Sequence, residues 1–162
     1  MKEQTCCLTG HRDLPGDSRQ LVCDLVKAAE QCIEAGVHYF GVGGAVGFDS
    51  LAAEVLLDLR DTRFPQIRVI AVEPFAGYTL RWNLEQLRRR QWLLGRYNKV
   101  VCLPNPPGRE AYLARDRYLV DHSTRCIGYC NRRSGGTAYT LRYAMKNGLY
   151  VQNLGSLDMS LL

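Results

Sequence analysis

Two glycine-rich stretches of the chain carry the residues that point most directly to chemistry. Gly43, Gly44 and Gly47 lie in GVGGAVGFDS, and Gly135 and Gly136 lie in SGGTAYTLRYA; each stretch leads into an apolar run at helical spacing. The first N–H groups of a helix have no intrahelical partner and carry partial positive charge. Because glycine has no side chain, a glycine-rich turn lets an anion come close to these N–H groups. The two stretches therefore predict phosphate-binding turns at helix starts.

Polar residues beside these turns extend the candidate site. Thr137 can cap its helix and donate its hydroxyl group to a bound anion. His11 and Arg12 follow Gly10 at the end of the first strand-like run, where they can supply positive charge. Asp49 suits a helix N-cap and a ligand contact equally well.

A nucleotide bound at these turns needs further contacts for its ribose and its base. Asp49 or Glu73 can accept hydrogen bonds from ribose hydroxyl groups, and Phe75, Tyr78 or Trp82 can stack on the base. The stretch ARDRYLVD places Arg115, Asp116, Arg117 and Asp121 near one face of a predicted helix. Their spacing is equally typical of ion pairs on a helix surface.

Neither glycine stretch matches a common nucleotide-binding motif. In GVGGAV, Val46 stands where the dinucleotide fingerprint G-x-G-x-x-G requires glycine or alanine, and the stretch follows the second predicted strand rather than the first. No Gly-Lys-Ser or Gly-Lys-Thr occurs in the chain, so the lysine and hydroxyl of a Walker loop are missing.

The elements that position these residues alternate regularly along the chain. Strand-like runs occur at TCCLT, VHYFGV, IRVIAV, KVVCL, RCIGYC and LYVQN. Helices are predicted from Asp17 or Ser18 to Gly36, from Asp49 onwards, and over residues 81–94, 109–120 and 137–147. This order predicts one α/β domain over residues 1–162, a three-layer, doubly wound and mainly parallel sheet of about six strands. The loops TGHR, GGAVGFD, EPF, PNPPG and NRRSGGT then meet at the carboxyl edge of the sheet.

Composition restricts the class of protein. The chain has 162 residues, 46% of them apolar, and no run approaches the roughly 18 apolar residues of a membrane helix. We expect a cytoplasmic protein without a secretory signal or a membrane partner. The net charge is +5, and 17 of the 21 basic residues are arginine, which favours an anionic ligand. The seven cysteines include no C-x-x-C pair, and His122, Cys126 and Cys130 supply only three ligands, so we predict no metal site.

The motifs together resemble a known family. TGHR, GGAVGFDSLAAE, EPF followed by Trp82, ARDRYLVDHS and SGGTAYTLRYA, in this order, are similar to the YpsA-like family of the SLOG superfamily, which also includes DprA and the lysine-decarboxylase-like LOG proteins. The resemblance covers nearly the whole chain. It implies a Rossmann-like fold, a ligand of nucleotide, ADP-ribose or NAD-derived type, and a role in bacterial cell division or stress signalling.

One departure from the superfamily bears on catalysis. LOG enzymes that hydrolyse nucleoside monophosphates carry a glutamate just after their P-G-G-x-G-T turn, whereas here Ser134 replaces the proline and no glutamate follows Glu110. The sequence therefore favours a protein that binds a small phosphorylated nucleotide-type ligand as a sensor or regulator. The alternatives are a LOG-type hydrolase and a DprA-type single-strand DNA binder, with nucleic acid the less favoured partner, and a homo-oligomer is compatible with the sequence.

Overall fold

Six strands and five α-helices alternate along the chain in a computed structural model that describes residues 1–162. The strands are β1 (Thr5–Gly10), β2 (Tyr39–Val42), β3 (Arg68–Glu73), β4 (Lys99–Cys102), β5 (Arg125–Tyr129) and β6 (Tyr150–Asn153). The helices are α1 (Arg19–Glu34), α2 (Phe48–Thr62), α3 (Leu84–Leu94), α4 (Arg109–Asp121) and α5 (Gly136–Lys146). Single 3-10 turns at Lys2–Gln4 and Met159–Leu161 complete the fold.

All six strands are parallel, in the order β4-β3-β2-β1-β5-β6. The chain winds outward from β1 to β4, then returns through α4 to β5 on the other side of β1. Helices α1, α2 and α3 cover one face of the sheet, and α4 and α5 cover the other. The predicted α/β, three-layer, doubly wound and Rossmann-like class is confirmed.

The winding direction reverses between β1 and β5, which are hydrogen-bonded neighbours with Cys7 opposite Cys126 and Thr9 opposite Gly128. At such a switch point the two connecting loops run to opposite faces and leave a crevice at the carboxyl ends of the strands. The fold thus places the loops after β1 and β5 on either side of one opening.

Apolar side chains on both faces of the sheet hold the three layers together. The larger cluster includes Phe40 and Phe48, and the smaller includes Leu119 and Leu141. Five of the seven cysteines are buried, in line with their interpretation as small apolar residues, and none forms a disulfide. No helix has the length and apolar character needed to span a bilayer.

The element boundaries differ from the sequence prediction mainly at α3. This helix begins at Leu84 rather than at residue 81, because Asn83 caps it. The Asn83 side chain accepts a hydrogen bond from the Gln86 N–H (2.9 Å), and the Gln86 side chain accepts one from the Asn83 N–H (3.0 Å). At α2 the N-cap is Gly47, so Asp49 is not the capping residue.

Candidate functional site

A cleft of about 350 Å³ opens at the switch point, where β1 and β5 end. The end of β1, the loops after β1, β2 and β5, and residues of α2, α4 and α5 line it, and most of the lining residues are polar. They are Thr9, Gly10, His11, Arg12, Asp13, Ala45, Asp49, Tyr112, Arg115, Asp116, Arg132, Ser134, Gly135, Gly136 and Thr137. The cleft brings together eight of the predicted site residues, from four separate stretches of the chain.

The start of α5 forms one wall of the cleft. Gly135 is the N-cap, with φ +97°, and no side chain caps the helix. The first N–H groups of α5 are therefore available to a ligand. The Thr137 hydroxyl group has no hydrogen-bond partner in the chain, although Thr137 is only 9% exposed. This combination is suited to binding a phosphate group.

Three arginines line the cleft, in two different states. Arg115 is buried and donates hydrogen bonds to the carbonyl oxygens of Gly43 and Val72 and, through Nε, to Asp116 Oδ1 (2.7 Å). Its guanidinium group is thereby fixed by the protein itself. Arg12 and Arg132 are exposed and form no ion pair, so they are the cations able to turn toward an anion.

Two carboxyl groups lie at the floor of the cleft. Asp49 is 7% exposed and accepts a hydrogen bond from the Ala45 N–H (3.2 Å). Burial, and secondarily Asp116, raise the pKa of Asp49 to about 7, against the opposing effects of Arg115 and the Ala45 N–H. Asp116 Oδ2 accepts from the Thr140 hydroxyl group (3.0 Å). Such acceptors suit hydroxyl groups of a sugar better than they suit phosphate.

His11 lies in the cleft wall but does not supply the positive charge expected from the sequence. Its Nε2 accepts a hydrogen bond from the Asn131 N–H (2.8 Å), which requires the neutral ring. Burial lowers the pKa of His11, and Arg132 lowers it further. His11 therefore ties the loop after β1 to the loop after β5.

The glycines of the first stretch serve the packing of their own turn. A Cβ atom at Gly43 would meet the Arg115 guanidinium group, and Gly44, with φ +74°, would meet the Tyr78 hydroxyl group at 2.9 Å. Gly47, with φ +83°, is pressed against the Arg12 backbone. None of the three lines the cleft. Of this stretch, only Ala45 and Asp49 line the cleft.

Glu73 and Asp121 lie outside the cleft. Glu73 Oε2 is paired with Arg90 Nη2 (2.6 Å) and accepts from the Tyr78 hydroxyl group (2.9 Å), so it anchors the β3 loop. Asp121 is exposed at the far end of α4 and accepts from the Tyr143 hydroxyl group (2.8 Å). The sequence placed Arg115 and Asp121 near one face of the helix. Asp121 lies six residues further along α4 than Arg115, however, and is therefore distant from the carboxyl edge of the sheet.

Phe75 and Trp82 line a second cleft, of about 650 Å³, next to the first. The two clefts share Arg12 and Tyr112. Tyr78 also lines this cleft but is only 7% exposed, which leaves Phe75 and Trp82 as the more accessible rings.

Sequence reasoning missed Tyr112, Asp116 and Arg132 as cleft residues. Arg132 was visible in NRRSGGT, directly after a predicted strand and before a glycine turn. Tyr112 carries no such signal, and Asp116 was grouped with Arg115 but not selected as a site residue, because both side chains reach the cleft only through the return of α4 across the sheet.

Comparison with known proteins agrees with this fold. A family model described as the YspA SLOG family matches residues 19–153. A UPF0398 protein of Staphylococcus haemolyticus is 27% identical over 106 residues, which are 60% of this chain and 52% of that protein. A UPF0398 protein of Halalkalibacterium halodurans is 28% identical over 127 residues, 74% of this chain and 67% of that protein. The chain thus spans about half the length of the Staphylococcus relative.

Two solved structures share the fold at low sequence identity. DNA processing protein A from Helicobacter pylori, whose structure was described for its single-stranded DNA binding mode, has a TM-score of 0.65 at 21% identity. The match covers 98% of this chain and 70% of that one. DNA processing protein A (DprA) from Streptococcus pneumoniae has a TM-score of 0.66 at 19% identity, covering 99% and 53%.

Proposed function

The chain belongs to the YspA SLOG family, and from this premise we propose that it binds a nucleotide or nucleotide derivative as a sensor or regulator. The ligand class is that of ADP-ribose or NAD-type molecules, held in the cleft between β1 and β5. The start of α5 holds a phosphate group, and Arg12 and Arg132 complete its neutralisation.

The observation that carries this proposal is the uncapped start of α5 with the unpartnered Thr137 hydroxyl group. Helix starts with free N–H groups bind anions, and an oriented hydroxyl group adds a further donor. The carboxyl groups of Asp49 and Asp116 lie in the same cleft. A ligand that carries both phosphate and sugar hydroxyl groups satisfies donors and acceptors together, whereas inorganic phosphate satisfies only the donors.

A thermal-shift panel tests the proposal most broadly. Adenosine, AMP, ADP, ADP-ribose and NAD are added in turn, with inorganic phosphate as the control for simple anion binding. A ligand at about 100 times its dissociation constant stabilises the fold by about 2.7 kcal/mol. We expect a phosphorylated nucleotide to raise the melting temperature and adenosine to have a much smaller effect. A panel in which no phosphorylated compound exceeds inorganic phosphate would contradict the proposal.

Binding of single-stranded DNA is the second candidate function. Its support is the fold shared with the H. pylori protein and the net charge of +5. Contacts to several backbone phosphates would make such binding steeply dependent on salt concentration. Gel shifts with oligonucleotides across a salt series decide the matter, because absence of a shift even at low salt removes this candidate.

A further inference from the structure

The second cleft differs from the first in its chemistry. Aromatic rings form its walls, from the loop after β3 and from the first turn of α4, and Arg12, Arg81 and Arg109 line it. None of these three arginines forms an ion pair. No carboxyl group lines this cleft, whereas Asp13, Asp49 and Asp116 line the first.

The aromatic wall is held in place from behind. The Tyr78 hydroxyl group donates to Glu73 Oε2 and contacts the Gly44 carbonyl oxygen, each at 2.9 Å, and the Arg90 guanidinium group lies 5.5 Å from the Tyr78 ring centroid. Trp82 packs edge to face on Tyr78, with ring centroids 5.4 Å apart. The partly buried ion pair of Glu73 and Arg90 therefore fixes the Tyr78 ring against which Trp82 packs, so the surface offered to a ligand is preorganised.

The opposite wall is built in the same way. Phe75 and Tyr112 pack edge to face with ring centroids 5.7 Å apart, and the guanidinium group of the buried Arg115 lies 5.9 Å from the Tyr112 ring centroid. Tyr112 and Arg12 belong to both clefts. A ligand that passes from one cleft to the other must cross these two residues.

We propose that the second cleft is a base-binding subsite and that the ligand is a nucleoside diphosphate that carries a sugar on its terminal phosphate. This rests on the proposed function and specifies it. The base lies against the aromatic rings of the second cleft, the diphosphate runs past Arg12 to the start of α5, and the terminal sugar meets Asp49 and Asp116. Carboxyl groups that can accept hydrogen bonds from sugar hydroxyl groups lie only in the first cleft. The terminal sugar is therefore placed in the first cleft and the base in the second.

A continuous nucleic acid strand fits this division of charge poorly. Each of its residues carries a phosphate, so the strand would bring phosphate groups against the three aspartates of the first cleft. A nucleoside diphosphate sugar confines its negative charge to the centre of the ligand, where Arg12, Arg132 and the start of α5 are found.

Calorimetric titration with two probes separates the subsites. Ribose 5-phosphate occupies the first cleft alone, and ADP-ribose occupies both. We expect ADP-ribose to bind the parent protein at least about tenfold more tightly than ribose 5-phosphate. Trp82→Leu removes the accessible indole ring of the second cleft, so it should remove most of that gain and leave the affinity for ribose 5-phosphate unchanged. Trp92→Leu is the matched control, because Trp92 is an exposed tryptophan that lines neither cleft.

The other outcomes each overturn the proposal. Equal affinity of the two probes, or equal loss of affinity for both in Trp82→Leu, would show that the second cleft is no subsite, while the proposed function would survive on the binding of ribose 5-phosphate. An oligonucleotide that displaces ADP-ribose and binds more tightly would assign both clefts to nucleic acid. Failure of both probes to bind would overturn this inference together with the proposed function.

Discussion

At the scale of single residues, Asp49 is the group whose titration should be visible in the stability of the fold. Its pKa is raised from the ordinary value of 3.8 to about 7, chiefly by burial. Between these two values the folded protein binds a proton that the unfolded chain has released. The contribution of Asp49 to the free energy of unfolding is therefore greatest at low pH and falls as the pH rises toward 7.

Asp49→Asn should remove this dependence while keeping an acceptor for the Ala45 N–H. We expect the free energy of unfolding of the variant, relative to that of the parent, to increase by about 1.4 kcal/mol per pH unit between about pH 5 and pH 7 and then to level off. Urea unfolding of both proteins across this range measures the difference. A difference that stays constant with pH would mean that Asp49 is already ionised in the fold at pH 5.

Residue roles that depend on near neighbours were predictable from the sequence, and roles that depend on distant ones were not. Thr137 lies beside Gly136 in the chain, and both line the cleft. His11 accepts from an N–H group 120 residues away, and Arg115 donates to the Gly43 carbonyl oxygen 72 residues away. These partners keep the His11 ring neutral and hold the Arg115 guanidinium group in place in the cleft wall.

At the scale of elements, α3 illustrates how capping sets a helix boundary. Its capping box joins Asn83 and Gln86 by two reciprocal hydrogen bonds. Asn83→Ala removes the side-chain acceptor for the Gln86 N–H, so we expect the free energy of unfolding to fall by about 1 kcal/mol. Denaturant unfolding measures this loss.

Ser18→Ala is the matched control, because Ser18 occupies the N-cap of α1 but makes no side-chain bond to a helix N–H group. We expect it to cost clearly less than Asn83→Ala. Equal losses in the two variants would mean that the capping bonds of Asn83 contribute nothing particular to α3.

The elements themselves were largely predictable, because apolar runs of strand length alternate with apolar stripes of helical spacing. The start of α3 was predicted too early because residues 81 and 82 lie before the Asn83 cap, outside the helix. Their residue types do not distinguish this segment from a first helical turn. The chain returns through α4 and so places β5 beside β1. The local sequence pattern does not indicate this neighbour. The cleft was therefore predicted as an edge of loops, and its pairing of β1 with β5 came only from the structure.

At the scale of the whole molecule, the proposed binding function predicts that the protein does not hydrolyse nucleoside monophosphates. No glutamate follows Thr137, and Thr140, one turn later, bonds to Asp116 instead. We expect the purified protein to release no base from nucleoside monophosphates. Chromatographic measurement of free adenine after incubation with AMP checks this, with heat-killed protein as the control. Accumulation of adenine above that control would place the chain among the hydrolases.

The central claim is that the start of α5 holds the phosphate of a nucleotide-type ligand, and Gly136→Asp tests it most directly. A Cβ atom at Gly136 meets nothing within 4 Å, and aspartate in the first turn of a helix is favourable, so the fold should survive while the new carboxylate occupies the anion site. Gly16→Asp, at an exposed position with similar space, adds the same charge away from the cleft.

The decisive measurement is a calorimetric titration of the parent and both variants with adenosine, AMP and ADP. We predict that Gly136→Asp weakens the binding of AMP and ADP by about tenfold or more, affects adenosine much less, and that Gly16→Asp resembles the parent. An equal loss of affinity for all three compounds in Gly136→Asp, or no loss for any of them, would contradict the assignment of phosphate to the start of α5.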